Sequence, residues 1–200
     1  MSANDGKQLD PRKKRTLKVL RTAMMELLTE QEFSKITVQD ITERAEVNRA
    51  TFYDHFVDKY ELLNDLVRED FQARLDSKMP DNPAFTLDNL RVLTLTVCDY
   101  LGGFIGHCAP TTRRDEQDIM VQQVQVSTYE VILKWLKAAP SKPSPSTATP
   151  ETLATMTSFA IFGAILQWTK TGRKLSPQRL TDQIVALLTS GISAYLAERV

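Results

Sequence analysis

Between positions 48 and 59 the chain reads NRATFYDHFVDK. Asn48, Arg49, Thr51, Tyr53, His55 and Lys59 carry N–H or O–H donors, and Ala50 offers a bare methyl. Donors at this density suit acceptor-rich surfaces such as base edges and phosphate oxygens. A second group lies upstream: Arg12, Lys13, Lys14, Arg15, Lys18 and Arg21 fall within ten residues with no acid among them. Covalent chemistry has no comparable constellation. No Ser or Cys stands with a paired base, and there is neither a phosphate loop nor a dinucleotide fingerprint. His107 with Cys98 and Cys108 is too scattered for a metal site, and Cys98 reads as a small buried apolar group. Catalytic residues, metal and cofactor are therefore not expected, and neither is an enzyme.

The elements that position the donors read as a helix-turn-helix over 37–56. Thr37 can cap a first helix with Asp40 three residues on, the spacing of a capping box. Val38, Ile41 and Ala45 face one way, and Glu46-Val47-Asn48 breaks the pattern. Asn48 can cap a second helix from Arg49 to about Phe56, and Asp58 a further helix from Lys59, with Glu61 in the reciprocal position. Two short helices joined by such a turn can put the second into the major groove of DNA. The first residues of a recognition helix meet the bases, which selects Asn48, Arg49, Ala50 and Thr51. Arg49 can bond both acceptors of guanine, and the methyls of Ala50 and Thr51 can touch thymine. Next to such a motif the basic run, with Arg12, Lys13 and Lys14 at its head, reads as a phosphate-contacting arm. Phe52 and Phe56 go to the core on a four-residue step.

The segment ELLTEQEFSKITVQDITERAEVNRATFYDHFVDKYELL resembles the N-terminal domain of TetR-family transcriptional regulators. Phe33, Thr37-Val38, Ile41, Ala45-x-Val47, Thr51-Phe52-Tyr53-x-His55-Phe56, Lys59 and Glu61-Leu62-Leu63 carry the likeness, over roughly residues 14 to 74. It implies phosphate contacts from Thr37, Tyr53, His55 and Lys59. Glu32 and Glu46 stand where the family usually has Gly, the residue that accepts positive φ cheaply.

The chain has 200 residues, enough for one or two domains, and a formal net charge of zero, so any nucleic-acid binding must be local. Two cysteines make no disulfide framework, MSANDGKQLD has no apolar signal core, and no apolar run reaches membrane-spanning length. A cytoplasmic protein with no membrane partner is expected. Nearly all of the chain reads as helix, an all-α fold. Residues 1–10 read as disordered, 11–78 as the DNA-binding domain, and 79–200 as a second helical domain after Met79-Pro80-Asp81-Asn82-Pro83. In the second, helices are expected over about 86–102, 115–139 and 151–171 and from Ser176-Pro177 onward, with a Pro/Ser-rich loop over 140–150.

Leu93, Val97, Leu101, Phe104, Val124 and Trp168 give the middle helices more apolar surface than one thin layer needs, with Tyr100, Gln125, Tyr129 and Gln167 as polar neighbours. An apolar cavity with a few polar groups suits a small molecule, and full core packing is the other reading. The family resemblance favours a pocket, for which Val97, Tyr100, Leu101, Phe104, Gln125, Tyr129 and Trp168 are the candidates. It also implies a homodimer through the last two helices, where Ala160, Gly163, Ala164, Ile184 and Leu188 are the candidate contacts. The expectation is a homodimeric, ligand-responsive DNA-binding regulator, a repressor released from its operator by an unknown small-molecule effector. A TetR-like activator, or a helical dimer that mainly binds a ligand or a protein, is the alternative.

Overall fold

The computed structural model describes residues 10–81, 83–107, 114–138 and 148–197, without the side chains of 103–120 and 191–197. The expectations for residues 1–9, for the side chains of Phe104 and His107, for Cys108, and for most of the Pro/Ser-rich loop lie outside what the structure describes. Those described form eight α-helices and one 3-10 turn, with no strand among them. The helices are α1 (Pro11–Glu30), α2 (Val38–Arg44), α3 (Arg49–Tyr53), α4 (Lys59–Asp76), α5 (Leu87–His107), α6 (Arg114–Ala138), α7 (Pro150–Lys170) and α8 (Pro177–Ala197). None of the described helices is long and apolar enough to cross a membrane.

Local chemistry sets most boundaries. α1 starts with Pro11 in its first turn and the Asp10 carboxylate accepting from the Arg12 N–H at 2.9 Å. α7 repeats the device, with Thr149 as cap before Pro150. α8 opens on Ser176, whose hydroxyl accepts from the Arg179 N–H at 3.3 Å. The 3-10 turn Phe33–Lys35 carries no strong sequence signal and was not expected. α5 also differs from expectation: it runs past Gly102 to His107 instead of ending there. A helical Gly costs about 1 kcal/mol relative to Ala. Leu101 is fully buried beside it, and Arg173 donates to the Gly102 carbonyl at 2.7 Å, so packing outweighs propensity.

The chain divides into two compact units, one holding residues up to Leu66 and the other most of the chain from Val67 on. The division falls inside α4, upstream of the Met79–Pro83 break. Leu20, Met24 and Leu27 of α1, Phe33, Ile36, Ile41, Phe52, Phe56, Leu62 and Leu63 form the core of the first unit. Each such side chain contributes roughly 1.5–3 kcal/mol by leaving water. In the second unit α5 packs on α7 and α8, which also pack on each other. Leu93, Val97 and Leu101 meet that core from α5, Ile161 and Ile165 from α7, and Leu180, Ile184 and Val185 from α8.

Candidate nucleic-acid interface

The candidate interface begins at Thr37. Its backbone N–H donates to Asp40 Oδ2 at 2.8 Å, and its hydroxyl accepts from the Asp40 N–H at 3.1 Å, completing the expected capping box. The Thr37 hydroxyl also donates to Asp40 Oδ2 at 2.8 Å. The bond from the Thr37 N–H and this one, with a smaller share from the nearby Lys59 charge, hold the Asp40 carboxyl below the usual carboxylate range. Arg44 at the end of α2 grips Glu30 of α1 through two bonds of 2.7 and 2.8 Å and reaches Glu26 at 3.3 Å, so α2 is fixed on α1. The turn to α3 follows with Val47 N–H on the Thr42 carbonyl at 3.0 Å and Glu46 at φ 54. Glu46 therefore holds the left-handed backbone suited to Gly. Glu32 does not: its φ is −63, ordinary extended backbone.

Asn48 caps α3 as expected. Its Oδ1 accepts from the Thr51 N–H at 2.7 Å and from the Thr51 hydroxyl at 3.0 Å. What Asn48 then offers a base is its amide N–H pair, and Thr51 chiefly its methyl. Arg49 and Ala50 are exposed beside them. Arg49 leans along the helix to Tyr53, with Nη2 at 3.3 Å from the phenol oxygen and the guanidinium 5.8 Å from the ring centroid. Tyr53 is half-exposed, while Phe52 beneath it is buried and meets it edge to face at 5.4 Å. α3 ends at Tyr53, short of Phe56, although Phe56 N–H still bonds the Phe52 carbonyl at 2.9 Å. His55 is half-buried against the Phe56 ring.

Asp58 starts α4 by accepting from the N–H groups of Tyr60 and Glu61, both at 2.9 Å. Glu61 reaches back one residue further than a capping box requires, to the Val57 N–H at 2.6 Å. Lys59, expected to contact phosphate, also has partners within the fold. Its Nζ bonds the carbonyls of Phe33, Ser34 and Ile36 at 2.9, 3.1 and 2.7 Å. The pairing is distant in sequence, and nothing local signals it. Arg21 likewise leaves the basic arm to pair with Asp65 at 2.6 Å. Arg12, Lys13, Lys14, Arg15 and Lys18 stay exposed along the first turns of α1.

The candidate residues of the second unit are partly committed. Val97, Leu101 and Trp168 are buried, Gln125 and Tyr129 half-buried. The Trp168 indole N–H donates to the Leu175 carbonyl at 2.9 Å, and Gln125 reaches the Ser158 hydroxyl at 3.5 Å. Tyr100 turns to α4, where burial and the neighbouring Asp70 carboxylate, which accepts from its hydroxyl, push the phenol well above its usual range. Phe71 meets its ring edge to face, and Arg74 lies over it at 5.2 Å. Cys98 is buried, which raises its thiol to about 11. Ile184, taken from sequence as a dimer contact, is packed inside its own protomer at 7% exposure. Leu187 lies on nearly the same helical line as Leu180, seven residues on, yet faces out at 79% exposure. Ala160 and Gly163 are exposed on α7 and Ala164 is half-buried, with Met156 and Phe159 exposed at 65% and 58%. Leu188 is half-buried.

Residues 20–66 match the model of the bacterial regulatory proteins of the tetR family. An uncharacterized HTH-type transcriptional regulator, YxbF of Bacillus subtilis (strain 168), is 39% identical over 71 residues, 35% of this chain. The match spans 19% of that relative's length. A TetR transcriptional regulator from Streptococcus agalactiae 2603V has a similar structure, with 19% identity, 88% of this chain and 95% of that one covered, and a TM-score of 0.50. A protein from Syntrophomonas wolfei str. Goettingen assigned to the TetR family gives 16%, 88%, 94% and 0.51 for the same measures. Over residues 20–66 the chain thus carries the helix-turn-helix domain of the tetR family of bacterial regulatory proteins, within a fold that is all-helical throughout the described residues.

Proposed function

We propose that this chain is a sequence-specific DNA-binding transcriptional repressor that acts as a cytoplasmic homodimer and leaves its operator when a small molecule binds the second unit. The observation that carries the reading is the start of α3: Asn48, Arg49 and Ala50 stand exposed on a capped helix while Phe52 and Phe56 anchor it from below. The exposed cations at the start of α1 add the sequence-independent attraction to phosphate. Met156, Phe159 and Leu187 support the dimer, because large apolar side chains this exposed mark a surface that meets another. Two α3 helices on one dimer would read two half-sites.

The buried faces of Val97, Leu101 and Trp168, beside the half-buried Gln125 and Tyr129, support an effector site among α5, α6 and α7. A ligand there releases DNA only by binding better to the form that cannot hold both half-sites. Lowering DNA affinity about a hundredfold takes roughly 2.7 kcal/mol of coupling, within the usual allosteric range, and operator must weaken the ligand equally.

The test is selection of duplexes from a random-sequence pool, followed by binding measurements and sedimentation. A recovered palindromic motif bound by a dimer is expected. Recovery of no motif overturns the reading. Compounds that raise the melting midpoint are then titrated with and without the selected duplex. Equal affinities in both titrations would show that a compound is not an effector.

A further inference from the structure

We propose that Lys59 is a positioning residue for DNA recognition: its ammonium ties the segment before α2 to the first turn of α4 and acts on DNA through Thr37, without meeting phosphate itself. This rests on the DNA-binding reading above. An ammonium carries three N–H donors in a cone. The three carbonyls of Phe33, Ser34 and Ile36, at 2.9, 3.1 and 2.7 Å, fill that cone. The Phe33 ring lies 4.6 Å from Nζ and the Tyr60 ring 5.6 Å, and the two rings meet edge to face. The ammonium is thus bonded on one side and flanked by aromatic faces on the others, at the tip of a half-buried side chain.

The Ile36 carbonyl explains how this reaches the interface. It shares one rigid peptide plane with the Thr37 N–H. Lys59 holds the oxygen of that plane at 2.7 Å, and Asp40 holds its N–H at 2.8 Å. The tilt of the plane sets where the exposed Thr37 hydroxyl points and the direction in which α2 begins. Carrying the ammonium out to a phosphate would break all three bonds and strip a cation from carbonyls that are partly buried, those of Phe33 and Ile36.

The experiment measures binding of the full-length chain to a duplex it selects from a random-sequence pool, over a range of salt and well below each variant's melting midpoint. Lys59→Met should bind about tenfold more weakly, the equivalent of about 1.4 kcal/mol, with an unchanged slope of log affinity against log salt. Loss of a phosphate contact would instead flatten that slope by about 0.9. Lys59→Arg keeps the charge and suits phosphate, but its planar fork cannot converge on three carbonyls. It should lose affinity as Lys59→Met does, and it carries the test if the Met variant does not fold. Wild-type affinity in the Arg variant, or a flattened slope in the Met variant, overturns the proposal. Combining Lys59→Met with Thr37→Ala should weaken binding no further than the weaker single variant. Losses that multiply would mean that Lys59 only supports the fold. A wild-type chain that selects no duplex defeats the DNA reading first, and this proposal with it.

Discussion

Arg49 is the side chain on which specificity is expected to turn. Its fork matches the two acceptors of guanine, and to reach them it must leave the Tyr53 phenol at 3.3 Å. Arg49→Ala should weaken binding to the selected site by about 1–3 kcal/mol and broaden base preference, read by repeating the selection with the variant. The two non-glycine residues with positive φ among the described residues make a paired test. Glu46 sits at φ 54 with an exposed side chain. Left-handed backbone costs a non-glycine residue roughly 1–2 kcal/mol, against about 0.5–1 for the extra entropy of Gly. Glu46→Gly should thus raise the thermal midpoint, by about 0.5–1 kcal/mol in stability. Arg173 has the same backbone at φ 53, but it bonds the Gly102 carbonyl and lies 5.8 Å over the Trp168 ring. Losing those contacts offsets the relief, so Arg173→Gly should leave the midpoint no higher. A similar rise in both variants would mean that the Arg173 contacts contribute nothing.

At the scale of the element, the start of α2 should be sensitive to acid. The Asp40 carboxyl titrates below its unfolded range because Thr37 bonds its charged form. Its stabilisation is therefore complete above the ordinary carboxylate range and is lost as pH falls through the lowered value. Asp40→Asn should melt earlier than wild type at neutral pH, and the gap should close in acid. A gap of constant width down to the acid limit would show that the carboxylate charge is not what caps α2. Boundaries of this kind were legible because a cap and its partner lie three residues apart. The end of α3 and the continuation of α5 through Gly102 were not. The continuation of α5 goes with the burial of Leu101 and with Arg173, which bonds the Gly102 carbonyl from 71 residues on.

For the whole molecule the dimer is the property to test. A Cβ placed on Gly163 would meet nothing within 4 Å, so the protomer itself has room for a larger side chain there. Gly163→Phe and Leu187→Glu should each leave the protomer's melting midpoint nearly unchanged. Both should shift sedimentation toward the monomer, by overpacking a close helix crossing and by burying a charge respectively. DNA affinity should fall with the dimer, because each half-site then binds alone. An intact dimer in both variants would place the interface elsewhere.

Sequence alone determined most helix starts and the helix-turn-helix segment. Capping boxes, proline at helix starts and 3.6-residue apolar stripes are local signals, written within a few positions of what they control. They placed Thr37 and Asn48 as caps, Phe52 and Phe56 in the core, and Asn48 to Thr51 at the tip of the second helix. Tertiary structure decided which polar groups remain available. Lys59 and Arg21 read as cations of a basic surface, yet one is drawn to three carbonyls more than twenty residues upstream and the other to Asp65. Ile184 and Leu187 are both apolar and three residues apart, and only packing against α5 decides that the first is buried and the second faces out. The physical reason is the same in each case. A side chain's type states what it can bond or bury against, and only the folded chain states which partner reaches it first.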